Sequence, residues 1–124
     1  MTVHLDTSAL VDALTGPRRS LDVLVGLVDE GHRVALSTLV LYEWLRGPRT
    51  WAELSAQEEI FPRESALPFD VDAAASAAAL YREVNRPRGR EVDLAVAACA
   101  LSRDAALWTL NTQDFHDLPG LELV

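Results

Sequence analysis

Short, mainly apolar segments that alternate with stretches of helical periodicity constrain this chain most. Val3–Leu5, Val34–Leu36 and Leu107–Leu110 are each followed at once by a polar residue. Between such segments, apolar residues recur at the spacing of an amphipathic helix. Strands that alternate with helices form a parallel sheet covered on both faces. The sequence therefore predicts a three-layer α/β fold. With Ala66–Phe69 and Leu121–Val124 as further strands, we expect a central parallel sheet of four to five short strands flanked by helices.

Length and composition agree with a single domain over residues 1–124. Apolar residues make up 49% of the chain, which is enough for a sizeable core. No apolar run approaches the ~18 residues needed to span a bilayer, and no secretion signal is visible, so we expect no contact with a membrane. The single cysteine, Cys99, cannot form an internal disulfide. We therefore expect a cytoplasmic protein.

The charge of the chain is unusual for a protein that handles nucleic acid. The formal net charge is −8, whereas nucleic-acid-binding proteins usually carry a basic patch. An acidic balance fits carboxylates gathered to hold cations, or a basic partner. All eleven basic residues are arginine, so any mechanism that requires a lysine is excluded.

Four acidic residues occupy positions in or next to apolar elements, where carboxylates are uncommon. Asp6 ends an apolar strand, Glu43 interrupts an apolar helix, Asp93 lies in the first turn of another helix, and Asp114 follows a strand within a turn. A buried lone carboxylate is costly, so each needs a partner, a shifted pKa or a metal ion. Mg²⁺ and Mn²⁺ prefer such oxygen ligands. In a parallel sheet, ligands bind at the carboxyl ends of the strands, where Asp6 and the Asn111–Asp114 turn both lie.

Each acid taken alone also has a plainer explanation. Asp6 and Asp93 are suited to cap helices, and Asp114 is suited to form a turn. Glu43 is suited to pair with Arg46 or Arg49 on the surface. The combination of all four in this order favours a shared site.

Four segments carry a resemblance to a known family. They are Val3–Leu10, Ser37–Glu43, Asp93–Ala98 and Trp108–Phe115, and the last is followed by Leu118–Leu121. Together they resemble the four motifs and the ending of PIN domains, and most closely those of VapC-type toxins. The resemblance extends over nearly the whole chain, and its fourth motif is the most specific.

The resemblance implies the roles of individual residues. Asp6 and Asp93 match the main ligands of Mg²⁺ or Mn²⁺, and Glu43 matches a third acid that acts as ligand or as base. Asn111 is neutral where many PIN domains carry an acid, so Asp114 is expected to supply that charge as a fourth catalytic and metal-binding residue. The residues expected to contact the substrate are Thr7, Ser8, Asn111 and Arg90.

The resemblance also implies an activity and partners. It predicts a metal-dependent endoribonuclease that hydrolyses RNA phosphodiester bonds. The expected partners are the RNA substrate, a cognate antitoxin protein and a second copy of the chain, with Trp51, Leu54 and Ile60 as candidate interface residues.

Three other protein classes share features with this chain. Receiver domains and haloacid-dehalogenase-like phosphatases share an acidic α/β site but require a lysine, which this chain lacks. The phosphatases also require an acid at the position of Ser8. A PIN-fold module that binds RNA or protein with weak or no catalysis stays open, because Asn111 is not an acid.

Overall fold

Three parallel strands form the centre of the molecule. A computed structural model describes all 124 residues. Its strands are β1 (Thr2–Leu5), β2 (Arg33–Ala35) and β3 (Ala106–Trp108), in the order β2-β1-β3. β1 pairs in parallel with both neighbours, with Val3 opposite Val34 on one side and Ala106 on the other. Val3, His4 and Leu5 are fully buried, as expected for a central strand covered on both faces.

Six helices flank the sheet. They are α1 (Thr7–Leu14), α2 (Leu21–Asp29), α3 (Thr38–Arg46), α4 (Trp51–Ile60), α5 (Val71–Glu83) and α6 (Glu91–Leu101). Two short 3₁₀ turns, Arg63–Ser65 and Thr112–Asp114, complete the regular structure. None of the helices combines the length and the apolar character needed to span a bilayer.

Side chains at the helix starts explain several boundaries. Ser37 caps α3 by accepting a hydrogen bond from the backbone N–H of Val40, and Asp70 caps α5 through the N–H of Ala73. α4 begins with a capping box, in which Thr50 and Glu53 satisfy each other's backbone N–H groups. Backbone donors that a helix cannot satisfy internally are thereby paired, which fixes where each helix begins.

The α/β class and the parallel sheet are confirmed, but the predicted number of strands was too high. Ala66–Phe69 contributes only the bridge of Leu67 to Ser37, because Pro68 has no N–H with which to continue a ladder. Leu121–Val124 contributes only the bridge of Leu123 to Leu107. β3 has three residues, and Leu107 alone directs both its N–H and its C=O towards that segment. One bridge on each side is too little to count as a strand.

The core contains one polar side chain whose ring nitrogens have no partner. His4 is 1% exposed, and neither Nδ1 nor Nε2 makes a hydrogen bond. Burial, aided by the positive charge of Arg103, lowers the pKa of His4 to about 4. The imidazole is therefore neutral at physiological pH and packs as part of the core.

Candidate active site

A crevice of about 550 Å³ opens at the carboxyl edge of the sheet. Asp6 follows β1 directly, Thr109 follows β3, and α1, α3 and α6 bring further side chains to the same place. The crevice is lined by four carboxylates and a single guanidinium, which belong to Asp6, Asp12, Glu43, Asp93 and Arg19. Its other lining residues are mostly polar or small, namely Thr7, Ser8, Val11, Thr15, Gly16, Pro17, Leu110 and Asn111.

Asp6 is held by hydroxyl groups rather than used as a helix cap. Its side chain makes no capping hydrogen bond to α1 and is only 5% exposed. Its Oδ2 accepts hydrogen bonds from Thr109 Oγ1 at 2.8 Å and from Ser8 Oγ at 3.0 Å. Ser8 Oγ in turn accepts the backbone N–H of Leu110 at 3.0 Å. These bonds fix the carboxylate and leave Oδ1 without a hydrogen bond from the protein.

Glu43 lies across the crevice on α3. Thr7 Oγ1 donates a hydrogen bond to Glu43 Oε1 at 2.6 Å. Arg46, one helical turn further along α3, approaches Glu43 Oε2 at 3.6 Å. Glu43 therefore makes two contacts: the expected ion pair with Arg46, and the hydrogen bond from Thr7 that connects it to the start of α1.

Among the acids of the site, Asp93 has the most strongly shifted pKa. Its carboxyl lies in the first turn of α6 and makes no hydrogen bond to the protein. Burial, followed by the negative charges of Asp6, Asp114 and Glu43, raises the pKa of Asp93 to about 6. Perturbed titration caused by burial together with neighbouring charges is typical of functional sites.

Two residues, Asn111 and Asp114, stand at the fourth expected position of the site. Asn111 lines the crevice, whereas Asp114 lies three residues further on, in the Thr112–Asp114 turn, and does not line it. Asp114 is still close enough for its charge to act on Asp93.

Arg90 differs from the expectation that it would contact substrate. Its Nη1 and Nη2 donate to Asp117 Oδ2 and Oδ1 at 3.0 and 2.7 Å. Nη1 also donates to the backbone carbonyl of Asn85, and Nη2 to that of Asp114. The guanidinium is therefore engaged within the protein, and Arg90 does not line the crevice.

Asp12 and Arg19 line the crevice but were not predicted from the sequence. One signal was available. Ser8, Val11 and Asp12 are spaced three and four residues apart, so they lie on one face of α1. Thr15 directly follows the helix, and all four residues line the crevice. No such pattern identifies Arg19, because it lies on the connection after α1.

The oxygen-rich lining fits a hard divalent cation. Carboxylates and hydroxyls are the donors that Mg²⁺ and Mn²⁺ prefer. No three His, Cys, Asp or Glu side chains are grouped tightly enough to hold an ion by themselves. Mg²⁺ does not require such a cage, since it usually binds one or two carboxylates and keeps several waters. Asp6 and Asp93 would serve as those carboxylates, with Glu43 nearby.

Comparison with known proteins agrees with this arrangement. The family model described as PIN domain matches residues 3–121. Ribonuclease VapC19 of Mycobacterium tuberculosis is 34% identical over 120 residues, which are 95% of this chain and 95% of that protein.

Solved structures show the same fold. VapBC2 from Rickettsia felis, crystallised with a DNA fragment from its promoter, has a TM-score of 0.78 at 20% identity and covers 100% of this chain and 98% of that chain. VapBC-5 from Mycobacterium tuberculosis, a toxin–antitoxin system, has a TM-score of 0.66 at 26% identity and covers 99% of this chain and 97% of that chain. Together, the family match and the related ribonuclease show that this chain belongs to the PIN domain family, among its VapC-type members.

Proposed function

We propose that this protein is a metal-dependent endoribonuclease and the toxin of a toxin–antitoxin pair. The observation that carries the proposal is the crevice itself, in which Asp6, Glu43 and Asp93 converge and the pKa of Asp93 is raised to about 6. The related protein from Mycobacterium tuberculosis is named as a ribonuclease.

Each side chain has a distinct task in the proposed reaction. A bound Mg²⁺ or Mn²⁺ would supply an activated water and neutralise charge on the phosphate. Asp6 and Asp93 offer the ligand oxygens, and the hydroxyls of Ser8 and Thr109 keep Asp6 in one orientation. We assign Glu43 as a further ligand of the ion or as the base that accepts the proton of the attacking water, while Thr7 holds Oε1 and Arg46 lies 3.6 Å from Oε2.

A protein partner follows from the same proposal. The structural neighbours include VapBC-5, a member of the VapBC family of toxin–antitoxin systems, and a toxin–antitoxin complex from Klebsiella pneumoniae, so we expect an antitoxin to bind this chain and restrain it. Two candidate interface residues are exposed on α4, where Trp51 is 83% exposed and Ile60 41%. Val25 and Val28 on α2 line an apolar groove together with Ile60. We also expect a homodimer.

The direct test is cleavage of a mixed pool of structured RNAs by the purified protein. We expect cleavage with Mg²⁺ or Mn²⁺, none with EDTA, and a loss of at least about 100-fold in Asp6→Asn and Asp93→Asn. Glu59→Gln, which removes one negative charge from an exposed position on α4, should cleave like the wild type. Activity that survives EDTA or both substitutions would contradict the assigned site.

The same samples test a second candidate function, that of a binding module without catalysis. If the folded wild type neither cleaves RNA nor binds Mn²⁺ in a calorimeter, the protein is a PIN-fold binding module. The observation that favours this alternative is that Asn111, which lines the crevice together with the four carboxylates, is neutral.

A further inference from the structure

The connection between α1 and α2 forms the outer wall of the crevice. Thr15, Gly16, Pro17 and Arg19 all line it. The turn has a defined shape, because Thr15 Oγ1 donates to the carbonyl of Val11 at 2.7 Å and the Arg18 N–H donates to the carbonyl of Thr15 at 3.0 Å. Gly16 and Arg18 adopt left-handed backbone angles, with φ of 55° and 53°. This turn brings Arg19 back against α1.

Arg19 is oriented by Asp12. Its Nε and Nη2 donate to Asp12 Oδ1 at 3.2 and 3.0 Å, and the other oxygen of Asp12 accepts the hydroxyl of the buried Ser20. The side chain of Asp12 is 16% exposed and that of Arg19 is 77% exposed. A mostly buried carboxylate thus holds one edge of the guanidinium. The Nη1–Nη2 edge remains free to make a forked pair with another anion.

The charge balance of the crevice indicates what kind of ligand the free edge of Arg19 suits. Four carboxylates line the crevice and Arg19 is its only basic residue. The arginines next to the other site residues already have partners, since Arg46 pairs with Glu43 and Arg90 with Asp117. An RNA strand carries a negative charge on every nucleotide, and a cation held at Asp6 and Asp93 would offset that charge only at the reacting phosphate.

We propose that Arg19 binds a second, non-reacting phosphate of the RNA strand and so positions the strand along α1 towards the carboxylates. This inference rests on the proposed ribonuclease function. It gives the chain a substrate-binding residue outside the four PIN motifs, and it accounts for phosphate binding in a protein with a net charge of −8.

The test compares Arg19→Gln with Arg18→Gln. Both substitutions remove one positive charge from adjacent exposed residues, but Arg18 does not line the crevice. In steady-state cleavage of a single-stranded RNA oligonucleotide, we expect Arg19→Gln to raise KM roughly tenfold and to leave kcat within about threefold. Arg18→Gln should match the wild type. Equal kinetics for the two variants, or a loss confined to kcat, would overturn the inference.

Binding measurements separate this inference from the proposed function. In an Asp6→Asn background with MgCl₂ present, the affinity for a fluorescent 12-nucleotide RNA is followed by anisotropy across a salt series. Arg19→Gln should weaken binding roughly tenfold and reduce the salt slope by about 0.7, the value for one phosphate contact on a single strand. If the wild type fails to cleave, the ribonuclease proposal fails, whereas an unchanged salt slope overturns the role of Arg19 whether or not the wild type cleaves.

Discussion

The surroundings of Asp93 destabilise the negative charge of its carboxylate. The pKa of its carboxyl is about 6 in the folded protein, against 3.8 for a free aspartate. Between these values the folded protein binds more protons than the unfolded chain. Stability therefore falls as the pH rises from about 4 to about 6, and the loss persists at neutral pH. A divalent cation at the site would remove this penalty.

We therefore expect Asp93→Asn to stabilise the protein when metal is absent. At pH 7.5 in EDTA its melting temperature should exceed that of the wild type by a few degrees, at about 4 °C per kcal/mol for a chain of this size. At pH 4 the gain should disappear, because the wild-type carboxyl is then protonated. Mn²⁺ should raise the melting temperature of the wild type more than that of the variant. A lower melting temperature for the variant at pH 7.5 would contradict this account.

His4 should make the fold sensitive to acid. The pKa of its imidazole is about 4 in the folded protein and 6.5 in the reference state, so the unfolded chain binds the proton first. Stability is complete above pH 6.5 and is lost as the pH falls towards 4. Urea unfolding of His4→Leu at pH 7.5 and pH 5 should show about 2 kcal/mol less acid destabilisation than the wild type.

The control for His4 is the exposed His116. His116→Gln leaves the buried His4 in place, so the acid destabilisation that we assign to His4 should remain in full. Equal acid sensitivity in His4→Leu and the wild type would show that burial of His4 does not control this behaviour.

At the scale of elements, Arg90 connects parts of the chain that meet beside the site. It bonds the carbonyl of Asn85, the carbonyl of Asp114 and the carboxylate of Asp117, while α6 begins at the next residue. Arg90 therefore fastens the 111–117 segment to the start of the helix that carries Asp93. We infer from these contacts that Arg90 positions the segment that includes Asn111.

We expect Arg90→Gln to release this segment. Amide hydrogen exchange in residues 112–118 should accelerate, and kcat for RNA cleavage should fall roughly tenfold with a smaller change in KM. Arg88→Gln removes the same charge from an exposed residue nearby and should change neither quantity. A rise in KM alone, with unchanged exchange, would instead restore Arg90 as a direct contact of the substrate.

Elements with strong local signals were predictable. Local signals specify both ends of α4, because Thr50 and Glu53 form a capping box at its start and Pro62 follows shortly after its end. The sequence did not indicate that Ala66–Phe69 and Leu121–Val124 each form a single bridge rather than a strand. How far such a segment pairs depends on which backbone groups its short neighbour leaves free. Local apolar character identifies such segments, but only the assembled sheet determines how many ladder bonds they form.

At the scale of the whole molecule, the topology brings together site residues that are far apart in the sequence. Asp6, Glu43 and Asp93 were identified from their placement within apolar elements and from the family resemblance, and the structure assembles them in one crevice. Asp12 and Arg19 could not be inferred as a pair, because their contact depends on two left-handed residues in the intervening turn. The partner of Arg90, 27 residues away in sequence, is equally a result of tertiary packing.

The two segments that fall short of being strands have a consequence for self-association. Leu123 covers the outer side of β3 through the bonds of Leu107 to Glu122 and Val124, and Leu67 covers the end of β2 through Leu36 and Thr38. A sheet aggregates or gains strands from other chains when its edge presents a long row of free backbone groups. Here both edges are short and partly closed. The sheet is therefore a poor template for the addition of strands, so we expect copies or partners to bind through the side chains of its helices.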